Sequence, residues 1–156
     1  MPRGDYTNTE ARAVEIVCDA ERARHFKPGD LLGQRAQHDE GCDLLSVPEN
    51  GGPAHRIEVK GWGEPLLKPD GSFTYPADVN QEQLDRARSD PTWRLEIVAN
   101  LTAERAGSGK AERLTLSGAE VAERAIGWRY RIPLDDLANR VAGVTAKGDS
   151  PDVAKP

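Results

Sequence analysis

The sequence has few cysteines, few aromatic side chains and no long apolar run. Cys18 and Cys42 are the only cysteines among 156 residues, so disulfides cannot hold the fold together, and we expect a reducing, cytoplasmic environment. No segment approaches the roughly 20 apolar residues of a membrane-spanning helix, and the first residues lack the apolar core of a secretory signal. These absences exclude a disulfide-rich secreted miniprotein and a membrane-spanning protein.

An excess of positive charge is also missing. Charged residues make up 30% of the chain, yet the formal net charge at pH 7 is −5. Proteins that coat nucleic acid through bulk charge are strongly basic, so the net charge counts against this class. An enzyme that contacts nucleic acid through one local patch is not excluded. The apolar fraction of 37% is sufficient for a hydrophobic core.

Hydrophobic periodicity predicts one folded domain over residues 9–140. It follows an N-terminal extension, 1–8, and precedes a Gly-, Ala-, Asp- and Pro-rich stretch, 141–156, which we expect to be a flexible tail. Within the domain we expect helices at 10–24, 78–88 and 118–124, strands at 42–47, 55–60, 92–99, 113–116 and 127–132, and loops at 61–76 and 101–111. This order predicts an α+β or mixed α/β sandwich.

Apolar residues at helical spacing, among them Ala13 and Val17, mark the first helix. The pattern Thr7-x-x-Glu10 predicts a capping box, in which the threonine accepts a hydrogen bond from an N-terminal amide and the glutamate reaches back. The segment Lys27-Pro-Gly29 is expected to end this helix, because proline cannot continue it.

Two of the predicted strands form a hairpin. Asn50-Gly51 is a strong two-residue turn signal, because both residues tolerate positive φ. The flanking Pro48 and Pro53 lack amide donors and favour a wider loop around the same centre. The sequence therefore predicts both the hairpin and the register of its strands.

Counting outward from that turn places Asp43 directly opposite Glu58. Side chains alternate along a strand, so Lys60 lies on the same face as these two acids. Opposed side chains have Cβ atoms roughly 4.5–5.5 Å apart, and two carboxylates at that distance repel each other. The compensating cation is either Lys60 or a divalent metal such as Mg²⁺, which binds one or two carboxylates and keeps several waters.

The segments Gly41-Cys-Asp43 and Ile57-Glu-Val-Lys-Gly61, joined by a hairpin, resemble the active site of PD-(D/E)XK nucleases. The resemblance implies that Asp43, Glu58 and the carbonyl of Val59 hold Mg²⁺ or Mn²⁺ and that Lys60 orients or deprotonates the attacking water. It also implies a restriction-endonuclease-like core, with a central mixed sheet flanked by helices.

A wider pattern over residues 10–137 resembles the NO VEIN C-terminal-type domain of that superfamily. Besides Ile57-Glu-Val-Lys-Gly61, the resemblance rests on Gly41-Cys-Asp-Leu-Leu-Ser46, which extends the first segment, and on Ala13-Val-Glu15, Val79-Asn-Gln-Glu-Gln-Leu84 and Trp93-Arg-Leu-Glu-Ile-Val98. It implies that Glu15 points towards the metal and that Asn80 or Gln81 edges the site. The chain departs from the family at Cys42, where an aromatic residue is usual, and in a proline-rich insertion, 64–76, which is expected to cover or reshape the cleft.

Simpler interpretations stay open. The two acids and Lys60 are also compatible with a surface charge cluster, Glu15 with a solvated helix residue, and Asn80 and Gln81 with helix capping. The histidines and cysteines lack zinc-ligand spacing.

We expect a metal-dependent nuclease that acts on DNA in preference to RNA, alone, as a homodimer or with a larger partner protein. The alternatives are a non-catalytic module of the same fold that binds nucleic acid or protein, and an acidic structural protein.

Overall fold

The structure is a computed structural model that describes residues 3–31, 37, 41–126 and 131–144. Its helices are α1 (Arg3–Ala23), α2 (Gln81–Ser89), α3 (Leu101–Ala106) and α4 (Gly118–Arg124), with a 3₁₀ turn at Ala138–Arg140. Its strands are β1 (Phe26–Asp30), β2 (Leu44–Pro48), β3 (His55–Gly61), β4 (Ala77–Asp78), β5 (Trp93–Ala99), β6 (Ala111–Ser117), β7 (Arg131–Ile132) and β8 (Ala142–Val144).

Six of the strands form one mixed sheet in the order β1-β2-β3-β5-β6-β8. β3 and β5 are parallel, and the other neighbours are antiparallel. The parallel pair requires a crossover, which α2 supplies between β3 and β5. The expected α/β class with a central mixed sheet flanked by helices is confirmed, and the arrangement is consistent with a nuclease-like core.

The sheet separates two apolar clusters because side chains of its central strands alternate between faces. Ile57 and Val59 of β3 pack under α1. Leu95 and Ile97 of β5 pack on the other face, with Leu84 of α2. All these side chains are at most 3% exposed. The central strand β3 is therefore covered on both faces and holds its polar side chains in fixed positions.

The helix α1 begins earlier than the sequence predicts. It starts at Arg3, so part of the expected N-terminal extension is helical. Thr7 lies inside the helix, and the predicted capping box at Thr7 and Glu10 is wrong, because the preceding residues continue the helix.

A strand follows α1 where the sequence predicts only a helix end. Lys27, Pro28 and Gly29 lie in β1, which pairs antiparallel with β2. β1 is an edge strand, and proline is tolerated at an edge because it need not donate a ladder hydrogen bond there. His25 makes the turn out of the helix with φ of 66°.

Three other expectations from the sequence differ from the structure. The loop predicted at 101–111 contains α3, which Leu101 anchors in the core and Gly107 ends with φ of 73°. The predicted tail contributes the edge strand β8, and residues 145–156 lie outside the described part. Of the predicted strand 127–132, residues 127–130 also lie outside it, and Arg131–Ile132 pairs with β4 rather than with the large sheet.

Candidate functional site

The hairpin register counted from the sequence is confirmed. Leu44 pairs with Ile57, and Ser46 pairs with His55. The loop between β2 and β3 spans residues 49–54, wider than two residues, as its prolines predict. The turn signal and the strand periodicity therefore position Asp43 and Glu58 together, as the sequence predicts.

Asp43 lies where the regular β2–β3 ladder ends. Its amide donates to the Ile57 carbonyl at 3.0 Å. Its carboxylate accepts hydrogen bonds from the Val59 amide at 2.9 Å and from Gln37 Nε2 at 2.5 Å. The side chain is 3% exposed, and this burial raises the pKa of Asp43, although the Val59 hydrogen bond opposes the rise. Asp43 is thus tied to the strand that carries Glu58.

Gly41 brings the chain to Asp43 through a turn that only glycine fits. Its φ is +64°, in the left-handed region. A Cβ there would lie 2.8 Å from Nε of Arg86, which crosses this position from α2. The Gly41 carbonyl accepts from Trp93 Nε1 at 3.3 Å. The segment that supplies Asp43 therefore lies close to Arg86 of α2 and is hydrogen-bonded to β5.

Glu58 lies on the α2 face of β3 and is 8% exposed. Gln83 Nε2 donates to its Oε1 at 2.6 Å, and Lys60 Nζ lies 3.4 Å from the same oxygen. Burial raises the pKa of Glu58 to about 7, the charge of Asp43 adds to the rise, and Lys60 opposes it. One lysine therefore does not fully compensate the two acids.

The two carboxylates line a cleft of about 110 Å³ between the hairpin and the start of α2. Its lining consists of polar, acidic or small residues: Gln37, Gly41, Cys42, Asp43, Glu58, Asn80, Glu82 and Gln83. As expected for a small strand-flanking residue beside the site, Cys42 is buried, with Sγ 3.2 Å from the Leu44 carbonyl oxygen. The cleft is an acidic concavity in which oxygen and amide groups converge.

The donor set fits a hard cation only when water completes its coordination. Within the described part of the chain, no group of three or more His, Cys, Asp and Glu residues is placed to hold a metal. Mg²⁺ needs only one or two carboxylates, because it retains water ligands. Asp43 and Glu58 meet that requirement. The Val59 carbonyl stays a predicted ligand, since the described contact of Val59 with Asp43 uses its amide.

Glu15 does not reach the cleft. Its side chain is 56% exposed and pairs with Arg12 at 3.0 Å. The buried stripe of α1, which includes Ala13 and Val17, points elsewhere around the helix.

Among the acids of α1 whose side chains are described, Glu10 is the one whose pKa responds to Asp43 and Lys60, and its side chain is exposed. Burial of part of its side chain and the charge of Asp43 raise the pKa of Glu10, and Lys60 opposes the rise. Extending the stripe of Ala13 and Val14 back by one turn leads to Glu10, so a signal for it was present in the sequence.

Gln81 also lies outside the cleft lining. It is exposed, and its Nε2 donates to Asp85 at 2.7 Å. Gln83, rather than Gln81, donates a hydrogen bond to Glu58. The capping interpretation of Asn80 is confirmed, because its side chain accepts from the Gln83 amide and Gln83 Oε1 accepts from the Asn80 amide. Asn80 both caps α2 and lines the cleft.

The proline-rich insertion does not cover the cleft, and none of its residues appears in the cleft lining. Leu66 and Phe73 of the insertion are buried in the α2-side core. The Leu66 amide donates to Glu112 Oε1 at 2.8 Å, and the Thr74 amide donates to the Leu66 carbonyl at 2.8 Å. The insertion is thus a packed extension of the sheet region.

A buried ion network lies on the opposite, α1 face of the sheet. Glu96 is fully buried and accepts from Arg113 at 2.8 and 3.0 Å and from Thr115 at 2.9 Å. Burial opposes ionisation, but Arg113 holds the pKa of Glu96 below its usual range. Arg94 links Glu96 to Glu21 of α1, at 3.1 and 2.9 Å. This network ties α1 to β5 and β6.

No protein-family model matches the chain, and no curated protein or solved structure matches it either. Among the described helices, none is long and apolar enough to cross a membrane.

Proposed function

We propose that this chain is a nuclease that hydrolyses phosphodiester bonds, in DNA in preference to RNA, with Mg²⁺ or Mn²⁺ as its cofactor. The observation that carries the proposal is the convergence of two almost fully buried carboxylates, Asp43 and Glu58, on one cleft beside Lys60. The resemblance of these residues and their spacing to the PD-(D/E)XK site supports the same chemistry.

Burial distinguishes this arrangement from a surface charge cluster. Asp43 is 3% exposed and Glu58 is 8% exposed, whereas the ion pairs of a charged surface are solvated and contribute about 0–1 kcal/mol. When both are ionised, two buried carboxylates beside one ammonium leave negative charge in excess, which either a proton on Glu58 or a further cation relieves. Such perturbed groups in a cleft are typical of functional sites.

The residues of the site have distinct roles in this proposal. Asp43, Glu58 and the Val59 carbonyl would hold the metal ion, which supplies charge neutralisation at the phosphate and a more acidic water. Gln83 fixes the orientation of Glu58. Lys60, 3.4 Å from Glu58, presents ammonium donors that orient the attacking water towards phosphorus and offset the charge that develops there.

The charge and size of the chain bear on how it holds its substrate. A net charge of −5 on 156 residues offers little basic surface for a duplex. A homodimer or a larger partner protein would extend the contact area, and cleavage of both strands of a duplex favours a two-fold assembly. We therefore include such a partner in the proposal.

The test is cleavage of plasmid, linear and single-stranded DNA and of RNA, with Mg²⁺ or Mn²⁺ and with EDTA. Lys60→Ala removes the water-orienting ammonium, and Lys68→Ala, at an exposed lysine of the insertion, is the matched control. We expect metal-dependent cleavage that the first variant loses and the second retains.

Cleavage that persists in EDTA, or equal loss in both lysine variants, would overturn the nuclease proposal. A folded protein that binds Mg²⁺ and cuts none of these substrates would favour the non-catalytic binding module instead.

A further inference from the structure

Glu58 and Lys60 of β3 and Trp62, the first residue after β3, succeed one another on the same face of the sheet. Gly61, between the last two, faces α1, since a Cβ there would lie 3.0 Å from the Thr9 carbonyl oxygen. Side chains on either side of Gly61 therefore point to the opposite face. Consistent with this, Trp62 packs against the core cluster on the α2 side.

An aromatic pair stands at the end of this row. The rings of Trp62 and Tyr75 meet edge to face, with centroids 5.5 Å apart and planes at 88°. The Trp62 amide donates to the Val98 carbonyl at 2.8 Å, which continues the parallel pairing beyond β3. Tyr75 follows Thr74, whose amide and hydroxyl hold the insertion in place. Both rings are thus positioned by fixed backbone.

The pair is open to solvent on the Tyr75 side. Tyr75 is 44% exposed and is the one exposed aromatic side chain among those that the structure describes. Glu58 is the residue of β3 that lines the cleft, and the four residues of extended chain from Glu58 to Trp62 span roughly 13 Å, or about two nucleotide steps of an extended strand. A nucleic acid whose phosphate occupies the cleft would bring the second nucleotide from that phosphate to this pair.

We propose that Trp62 and Tyr75 form a stacking subsite for an unpaired nucleobase about two nucleotides from the bond to be cut. The inference rests on the proposed nuclease function and adds a substrate class, single-stranded or frayed nucleic acid. A base within a duplex has both faces covered by its neighbours, so only an unpaired or terminal base presents a face to these rings. Stacking of this kind tolerates any base sequence.

The test compares binding of a fluorescent single-stranded oligonucleotide with binding of its duplex, by anisotropy in Mg²⁺. Every variant carries Lys60→Ala so that cleavage does not consume the probe. Tyr75→Ala should weaken single-strand binding about tenfold, as expected for one lost base–aromatic stack, and leave duplex binding unchanged. Tyr75→Phe should retain single-strand binding. Val47→Ala, at an exposed apolar residue of β2, is the matched control.

Unchanged single-strand affinity in Tyr75→Ala would overturn the subsite, as would equal losses for single strand and duplex. Loss of binding in Tyr75→Phe would also overturn it, because the phenyl ring still stacks. The subsite proposal would also be wrong if this face bound a protein partner and no oligonucleotide.

A single-stranded oligonucleotide of abasic nucleotides separates the two proposals. With Lys60 intact, its metal-dependent hydrolysis by the wild type reports on the cleft alone, because this probe has no base or other aromatic ring to stack. Hydrolysis without a single-strand preference would overturn the subsite alone. A Tyr75-dependent preference without hydrolysis of any phosphodiester would overturn the nuclease proposal and support the subsite as part of a binding module.

Discussion

Gln83 joins the start of α2 to Glu58 of β3. Its Nε2 donates to Glu58 Oε1 at 2.6 Å, while its Oε1 accepts from the Asn80 amide at 3.0 Å. One side chain therefore completes the helix cap and fixes the orientation of a buried carboxylate. Because the cap fixes the glutamine, the carboxylate is oriented before any ligand binds.

Gln83→Ala should weaken Mg²⁺ binding about tenfold or more, the usual effect of removing a hydrogen-bond partner of a metal-binding carboxylate. Isothermal titration with Mg²⁺ measures the change. Gln81→Ala, at an exposed position of the same helix, should leave the affinity unchanged. Equal affinities for the wild type and Gln83→Ala would show that the glutamine serves only the cap.

Glu58→Gln should have opposite effects on stability with and without metal. In EDTA at pH 8 it removes a buried, incompletely compensated charge, so the free energy of unfolding should rise by on the order of 1 kcal/mol. In Mg²⁺ the wild type gains stability by ligand binding and the variant does not. Urea unfolding under both conditions measures this, with the exposed Glu49→Gln as control. Destabilisation in EDTA would instead indicate a structural ion pair.

Glu10→Gln should lower the rate of metal-dependent cleavage, whereas Glu15→Gln should not. Glu10 is coupled electrostatically to Asp43 and Lys60, and Glu15 pairs with Arg12 on the exposed side of α1. Turnover of one DNA substrate at fixed Mg²⁺ measures both variants. The reverse order would restore the prediction made from family resemblance and contradict the orientation of α1.

Arg140→Gln should destabilise the fold at neutral pH but not in acid. Arg140 is the largest cause, with Ser117 of the helix cap, of the lowering of the Glu120 pKa from 4.5 to about 2. The stabilising effect of Arg140 is therefore complete above about pH 5 and disappears as the pH falls through 2. Both side chains are about one-third exposed, and the expected loss at pH 7 is about 0.5–1 kcal/mol. Thermal unfolding between pH 2 and 7 measures it, with exposed Arg88→Gln as control. A pH-independent loss would point to the Arg140–Thr115 carbonyl contact instead.

The hairpin was predictable because its determinants are local. A turn at Asn50-Gly51 and the alternation of the strands are enough to place Asp43 opposite Glu58. The orientation of α1 was not predictable, because apolar residues flank Glu15 on both sides and leave the direction of the Glu15 side chain ambiguous. The resemblance points to Asn80 or Gln81 and gives no signal for Gln83, which lies about 200° from Gln81 around α2.

The ion network under α1 was beyond sequence reasoning for a different reason. Glu96 alternates with apolar residues along β5, as a solvent-facing strand residue would. Its burial depends on α1 covering that face and on Arg113 arriving from β6. Neither α1 nor Arg113 is close to Glu96 in the sequence, so no local sequence pattern indicates that Glu96 is buried.

The fixed pairing of β2 with β3 couples the integrity of the core to the integrity of the site. A slip of one residue in β3 would turn Ile57 and Val59 out of the core under α1 and turn Glu58 into it. Because the slip would expose Ile57 and Val59 to water, the slipped register has a higher free energy, and Asp43 therefore stays opposite Glu58. The loop at 49–54, although it lies at the far end of the hairpin, thereby sets the spacing between the two carboxylates.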